Sequence, residues 1–368
     1  MPDAQSRPAM AQSVPAEGLD LSDVLRAADR LRERVRTTPV FDAPMLNGVV
    51  GSRLIVKAEC LQRSGSFKYR GALNAVLAGL QRNDRRPVVA VAGNHALAVA
   101  LAARECGLSA TVVMPKDGSP LKRSAVDAAG ATVVTSEVPQ ADREQVVADL
   151  LSRGMRLISP DDPDVMAGAG TLMLELVEQI GRPLPSSVVV PIGMGGLAAG
   201  LTVVARELAP SMSIVCGEPE LADDAYRSLQ CGYRVTLDQT PTTIADGLRA
   251  VHLADRAWPI LAGSMPRIVR VSEDEIVDAV WLCWTRLKLL VEPSGAVGLA
   301  ALIVDERLAA RKGPLTTETT VVCLLTGGNA DPVELAPLFA MARARDLEVG
   351  SPEQQSPTRA ASSTIERR

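Results

Sequence analysis

The sequence predicts an α/β protein of two lobes, each built on a mainly parallel sheet covered by helices. Three observations predict it. Its 368 residues suffice for two lobes around one cleft, since domains usually run about 100–200 residues. Short β-branched runs alternate with longer Ala- and Leu-rich helical stretches: VVAVA, NHALAVALAAREC, TVVMP, LKRSAVDAAG and ATVV. A second series of the same kind begins at SSVVVPIG and runs through GLAAGLTVVARELA and MSIVCGEPE to TTVVCLLTGGN. Strands that alternate with helices in this way pair in parallel, with the helices on the sheet faces.

The two series set the boundaries. Residues 19–86 together with 160–345 make a large lobe, and residues 87–159 make a small mobile lobe that closes over a ligand. Residues 1–18 and 346–368 are rich in Pro, Ser, Gln and charge, which cannot offset ordering entropy by burial, so disordered tails are expected there. No internal repeat is present, and no stretch after about residue 345 is long enough for a regulatory domain.

Composition narrows the function. Hydrophobic residues are 47% and charged residues 22%, as in ordinary globular proteins, but aromatics are 2%, so Ala, Val and Leu must do the packing. The formal charge of -4 is spread without a basic stripe, which argues against a nucleic-acid partner. No apolar run reaches the roughly 18 residues of a membrane span, and MPDAQSRPAMAQSVPAEG has no signal-peptide core, so no membrane partner and a cytoplasmic location are expected. Cys60, Cys106, Cys216, Cys231, Cys283 and Cys323 form no CxxC pair and read as buried thiols of a reducing compartment.

Four segments carry candidate chemistry. SGSFKYRGALNAV places Lys68 at the start of an amphipathic helix of Leu73, Ala75, Val76 and Leu80, where a lysine can face a cleft; a solvated surface lysine is the competing reading. In VPIGMGGLAAGL, Gly193, Gly195 and Gly196 turn from strand to helix with bare N–H groups suited to a phosphate, or form an ordinary turn. VVAVA leads through Gly93, Asn94 and His95 into another helix, whose positive end suits a carboxylate; Asn94 as a plain N-cap is the alternative. VVCLLTGGN ends a buried strand on the Thr326 hydroxyl, at a ligand or in a simple turn.

Taken in order, SGSFKYRGALNAV, AGNHALAVALAA, MPKDGSPLKRSAVDAAGATVV, PIGMGGLAAGL, GEPELADDAY, TIADGL, EPSGAVGLAA and TGGN resemble the serine racemase and threonine (serine) dehydratase family. The likeness runs over residues 21–340. It implies the fold-type II architecture of pyridoxal-phosphate enzymes, similar to the tryptophan synthase β chain. By this resemblance Lys68 holds pyridoxal 5'-phosphate as a Schiff base, Phe67 packs beside the ring and Asn94 binds its 3-hydroxyl. Gly193, Met194, Gly195 and Gly196 hold the phosphate, and Thr326 meets the pyridine nitrogen. A neutral hydroxyl there does not force the nitrogen to be protonated, which favours β-elimination. Ser66, Gly93, Asn94 and His95 bind the substrate, and Arg143 matches a position for a second carboxylate or side chain, against the alternative of a surface helix arginine. Glu218, the Ala222 carbonyl and Asp224 resemble the family's divalent-cation loop, for magnesium, calcium or manganese; a solvated acidic loop is the alternative. A homodimer and a small amino-acid substrate complete what the resemblance implies.

The sequence also departs from the family. Ala92 stands where racemases carry a serine that delivers a proton to the face opposite the lysine, and general acid–base help of that kind is worth ~10²–10⁴-fold. Val91 and Ala92 also lack hydroxyls for the substrate carboxylate, so backbone N–H groups and Asn94 must bind it. Met194 interrupts the glycine loop and requires a negative φ, and Ala169 replaces a polar residue. These features favour an ammonia-lyase that removes water from serine, threonine, 3-hydroxyaspartate or a related amino acid, giving a 2-keto acid and ammonia. β-Replacement, racemisation or epimerisation, and a non-catalytic cofactor-binding protein remain the alternatives.

Overall fold

The computed structural model describes residues 18–91, 93–116, 120–136, 141–310 and 320–349. Position 92 and most of both expected tails lie outside the described residues. The chain begins with α1 (Leu21–Leu31), β1 (Val40–Asp42), α2 (Pro44–Val50) and β2 (Arg53–Ala58), then α3 (Lys68–Gln81). A parallel series follows: β3 (Val88–Val91), α4 (Asn94–Glu105), β4 (Ala110–Pro115), α5 (Pro120–Ala128), β5 (Thr132–Ser136), α6 (Ala141–Ser152) and β6 (Arg156–Leu157). Helix α7 (Pro163–Ile180) leads to β7 (Ser187–Pro191), α8 (Gly196–Leu208), β8 (Ser213–Pro219), α9 (Asp224–Cys231) and α10 (Ala257–Ser264). The described chain closes with β9 (Arg267–Val271), α11 (Glu273–Leu282), α12 (Pro293–Ala310), β10 (Thr320–Leu325) and α13 (Pro332–Val349).

Two sheets result. The larger has the order β1-β2-β10-β7-β8-β9 and is parallel except for β1 against β2; the smaller, β5-β4-β3-β6, is wholly parallel. The α/β class read from the alternation is therefore the observed one. Strand periodicity divides the larger sheet between two cores. Val188 and Val190 of β7 enter the core against α7 and α8, while Val189 enters the core against α11 and α12. With so few aromatic residues, both cores are filled by Ala, Val, Leu and Ile.

Helix α3 differs from its expected amphipathic form. It is buried on most sides, with Tyr69, Ala72, Leu73, Ala75 and Val76 in the core of the smaller sheet. Small residues allow this. A Cβ on Gly168 of α7 would stand 2.6 Å from the Arg70 carbonyl oxygen and 2.7 Å from Gly71 Cα, so the two helices touch through their backbones. Gly168→Ala is therefore expected to push α3 off α7 and to destabilise the protein by about 1–3 kcal/mol, as overpacking does; a thermal melt checks it.

Charge is buried under the same helix. Arg70 pairs with Glu59 at 2.7 Å and with Glu175 at 2.9 Å, and Glu175 also pairs with Lys57. Three of these side chains are almost fully buried, and the pairing satisfies them where isolated charges would be prohibitive. The network ties β2, the turn after it, α3 and α7 together, with Arg70 in the first turn of the helix that Lys68 begins.

Two smaller expectations change. Cys231 is exposed at the end of α9 and Cys106 is half-buried, while Cys60, Cys216, Cys283 and Cys323 are buried. Helix α13 continues to Val349, so the boundary drawn at residue 345 falls inside a helix.

Candidate active site

In open α/β sheets ligands bind beyond the carboxyl ends of the strands. The C-terminal ends of β3, β7 and β10 here meet at one cavity of about 260 Å³. Among the sequence-predicted residues, Phe67, Lys68, Gly93, Asn94, His95, Gly193, Met194, Gly195, Gly196 and Thr326 line it. Segments more than 250 residues apart in sequence are thus joined in one place.

Lys68 is the first residue of α3 and its Nζ lies 4.7 Å from the centre of the Phe67 ring. Burial lowers its pKa to about 8, partly offset by the carboxyl of Glu292. A substantial share of this amine is therefore neutral near physiological pH, as a nucleophile requires. Phe67 N–H donates to the Thr326 carbonyl at 3.0 Å, which joins the start of α3 to the end of β10.

The turn after β7 is shaped for an anion. Gly195 has φ +83°, a conformation open to glycine, and caps α8 from which the first N–H groups emerge. Met194 stays out of the left-handed region, its carbonyl accepts from Ala254 N–H at 2.9 Å, and its side chain packs against the core. It therefore fits the turn as the sequence required. Gly93, with φ +90°, makes the corresponding turn before α4.

Asn94 and His95 are each held by specific bonds. Asn94 Nδ2 donates to Glu292 Oε1 at 2.5 Å and its Oδ1 accepts from Asn329 Nδ2 at 2.9 Å. His95 Nε2 faces the Ile158 carbonyl at 2.8 Å, so that nitrogen carries the proton and Nδ1 is left as a buried acceptor without a partner. Burial first, then Lys68, lowers its pKa to about 4, so the ring is neutral.

Other predicted residues fall differently. Ser66 is buried beneath the cavity wall, bridged to Gly327, with its hydroxyl unpartnered, and is not among the lining residues. Arg143 lies on α6, and its side chain is outside the described residues. Glu218, Ala222 and Asp224 are buried together at the end of β8, away from the cavity. Glu218 accepts from Ala225 N–H at 2.9 Å and Tyr226 N–H at 2.8 Å, while Asp224 Oδ2 has no partner. Burial raises the pKa of both carboxyls, that of Asp224 to about 7, and the nearby Asp224 raises Glu218 further. Two buried carboxyls whose ionisation burial opposes, one with an orphaned oxygen, suit a hard cation. Among the described residues no group of three or more His, Cys, Asp or Glu could hold a metal, so a carbonyl must complete any such site.

Sequence reasoning missed Glu292, Ser294, Lys122 and Asp246, all of which line the cavity. Glu292 is 3% exposed, its Oε2 has no partner, and burial, then Asp246, raises its pKa to about 7. A charged residue opening the otherwise apolar EPSGAVGLAA was the available signal. Lys122 on α5 pairs with Asp246 in the 3-10 turn Asp246–Leu248, across the two sheets.

A reactive amine, a turn built for an anion and a neutral hydroxyl around one cavity define an enzyme that holds an anionic carbonyl cofactor. The match to known proteins gives its family. The model of the pyridoxal-phosphate dependent enzymes matches residues 31–327, and the chain belongs to that family and takes pyridoxal phosphate as its cofactor. It is 39% identical over 316 residues to a serine racemase of Arabidopsis thaliana, covering 85% of this chain and 93% of that protein. It is 38% identical over 322 residues to an L-threo-3-hydroxyaspartate ammonia-lyase of Saccharomyces cerevisiae, covering 86% and 95%. The solved structure of a T.th. threonine deaminase superposes with a TM-score of 0.78 at 42% identity, over 85% of this chain and 99% of that one.

Proposed function

We propose that the protein is an ammonia-lyase that removes water from a small β-hydroxy amino acid, leaving a 2-keto acid and ammonia. The observation that carries this reading is the buried amine of Lys68 in one cavity with the Thr326 hydroxyl and the N-termini of two helices. Similarity to ammonia-lyases and deaminases supports the same chemistry.

Bound pyridoxal phosphate withdraws electrons from the substrate Cα, which acidifies its proton and lets a β-hydroxyl leave. The chain's residues do the rest. Lys68 would hold the cofactor through its amine, and that amine would serve as the base for the Cα proton. The N–H groups of Gly193, Met194, Gly195 and Gly196, with the positive end of α8, would hold the phosphate. Asn94, fixed by Glu292 and Asn329, would bind the cofactor's 3-hydroxyl, and Thr326 would offer its pyridine nitrogen a hydroxyl without a charge. The start of α4 at Gly93 and Asn94 binds the substrate carboxylate, and closure of residues 87–159 excludes water.

Because Lys68 must be neutral to capture the cofactor, and its pKa of about 8 lies below the usual lysine value, the sign is fixed. Capture by cofactor-free protein should speed up about tenfold per pH unit below pH 8 and level off above it. Stopped-flow absorbance on mixing with pyridoxal phosphate measures this.

The reading extends to a divalent cation held by Glu218, the Ala222 carbonyl and Asp224, in a structural role. Saturating magnesium, calcium or manganese is expected to stabilise the protein by about 2–3 kcal/mol, and Asp224→Asn to remove that gain; calorimetric melts with and without chelator compare the two. No described helix is long and apolar enough to cross a membrane. A cytoplasmic homodimer without nucleic-acid or membrane partners completes the proposal.

The deciding experiment supplies loaded enzyme with L-serine, L-threonine and L-threo-3-hydroxyaspartate. Equal amounts of keto acid and ammonia support the lyase. Inverted substrate without ammonia would replace it by a racemase, despite Ala92, and bound cofactor with no product would favour β-replacement.

A further inference from the structure

Which β-hydroxy amino acid enters depends on the charges in the cavity. Among the described lining residues, the cationic side chains are Lys68, Lys122 and Arg249, since His95 is neutral. Lys68 is committed to the reaction. Arg249 is exposed and its Nε donates to the Thr243 carbonyl at 2.8 Å. Lys122 is 24% exposed and is paired with Asp246. With the pair intact Lys122 and Asp246 cancel, and the other acid on this wall, Glu292, is held by the Asn94 amide.

The two halves of the pair are unequal. Asp246 is 40% exposed, and its other carboxylate oxygen lies 3.4 Å from the Ser294 hydroxyl, so it stays solvated and bonded when released. Lys122 is the more enclosed and has Asp246 as its ion-pair partner, so a second carboxylate in the cavity can take that place if the contact opens. It also stands on α5, which packs against α4, the helix whose start takes the substrate carboxylate. One small lobe thus presents two anion-binding points to the same cavity.

We propose that Lys122 selects a dicarboxylic β-hydroxy amino acid with the chemistry of 3-hydroxyaspartate, taking its distal carboxylate in exchange for Asp246. The catalytic part of this rests on the ammonia-lyase reading; the binding part does not. No bond is made or broken in the exchange, in which one carboxylate replaces another on the same ammonium.

The test titrates the cofactor-loaded enzyme with L-aspartate, which has both carboxylates but no β-hydroxyl to lose, and with L-alanine, which lacks the distal carboxylate. The visible band of the bound cofactor reports occupancy. Lys122→Met is expected to raise the aspartate dissociation constant roughly tenfold or more relative to that of alanine, Lys122→Arg to recover part of it, and Asp246→Asn to lower it. The kcat/KM ratio of 3-hydroxyaspartate to threonine should fall by a similar factor in Lys122→Met. Equal weakening of aspartate and alanine would show a lobe latch and overturn the proposal, as would loss of aspartate binding in Arg143→Met but not in Lys122→Met. If the wild type releases no keto acid from any substrate, the lyase reading fails while the aspartate titration still decides the role of Lys122.

Discussion

Lys68→Ala is expected to lower keto-acid formation at least about 10⁴-fold, because one side chain supplies both the covalent hold on the cofactor and the base at Cα. Alanine is also a good helix former, and Lys68 only begins α3, so the fold should persist. The contacts that fix this end of α3, the Phe67 N–H to the Thr326 carbonyl and the Arg70 pairs with Glu59 and Glu175, do not involve the lysine side chain. The variant should therefore melt near the wild type, lack the visible band of bound cofactor and show no turnover. Parallel melts, spectra and ammonia assays check each of these. A variant that keeps turnover within tenfold of the wild type would remove Lys68 from the mechanism.

The second large effect is expected at the phosphate turn. In Gly195→Val a side chain would be held at φ +83°, which costs about 1–3 kcal/mol. Its Cβ would also stand 2.8 Å from Leu261 Cδ1, 2.9 Å from Leu253 Cδ2 and 3.2 Å from Ala257 Cβ. All three neighbours are fully buried in the core, so overpacking adds about 1–3 kcal/mol more. Either the protein loses that stability or the turn shifts and its N–H groups lose the phosphate. Gly193→Ala makes the control, since its φ is not in the left-handed region and its Cβ would be 3.4 Å from the nearest Leu248 atoms. Melting curves and cofactor dissociation constants should separate the two variants clearly; equal behaviour would mean that the turn does not depend on Gly195.

The strands and the turns at their ends were legible because each is a local pattern. VVAVA, SSVVVPIG and TTVVCLL carry β-branched residues, and a glycine or hydroxyl at each strand end marks where the chain can meet a ligand. Partners set by the fold were not legible. Asn94 and Glu292 are 198 residues apart and Lys122 and Asp246 are 124 apart, so no spacing rule links them. Lys57, Glu59 and Arg70 look like surface charges in sequence, yet the packing of β2, α3 and α7 buries them as one network. Helix α3 was misread for a related reason: Gly71, Ala72, Ala75, Ala78 and Gly79 look neutral in a periodic pattern, but their small size admits neighbours on several sides.

The central claim is that the cavity around Lys68 is the catalytic centre. The most direct measurement is to reduce the loaded enzyme with borohydride, digest it and map the cofactor by mass spectrometry. The account predicts that the pyridoxyl mass appears on one peptide, at Lys68 in SGSFKYRGALNAV, and that added amino-acid substrate diminishes this labelling. Label on Lys57, Lys122 or any other lysine with Lys68 unmodified would contradict it.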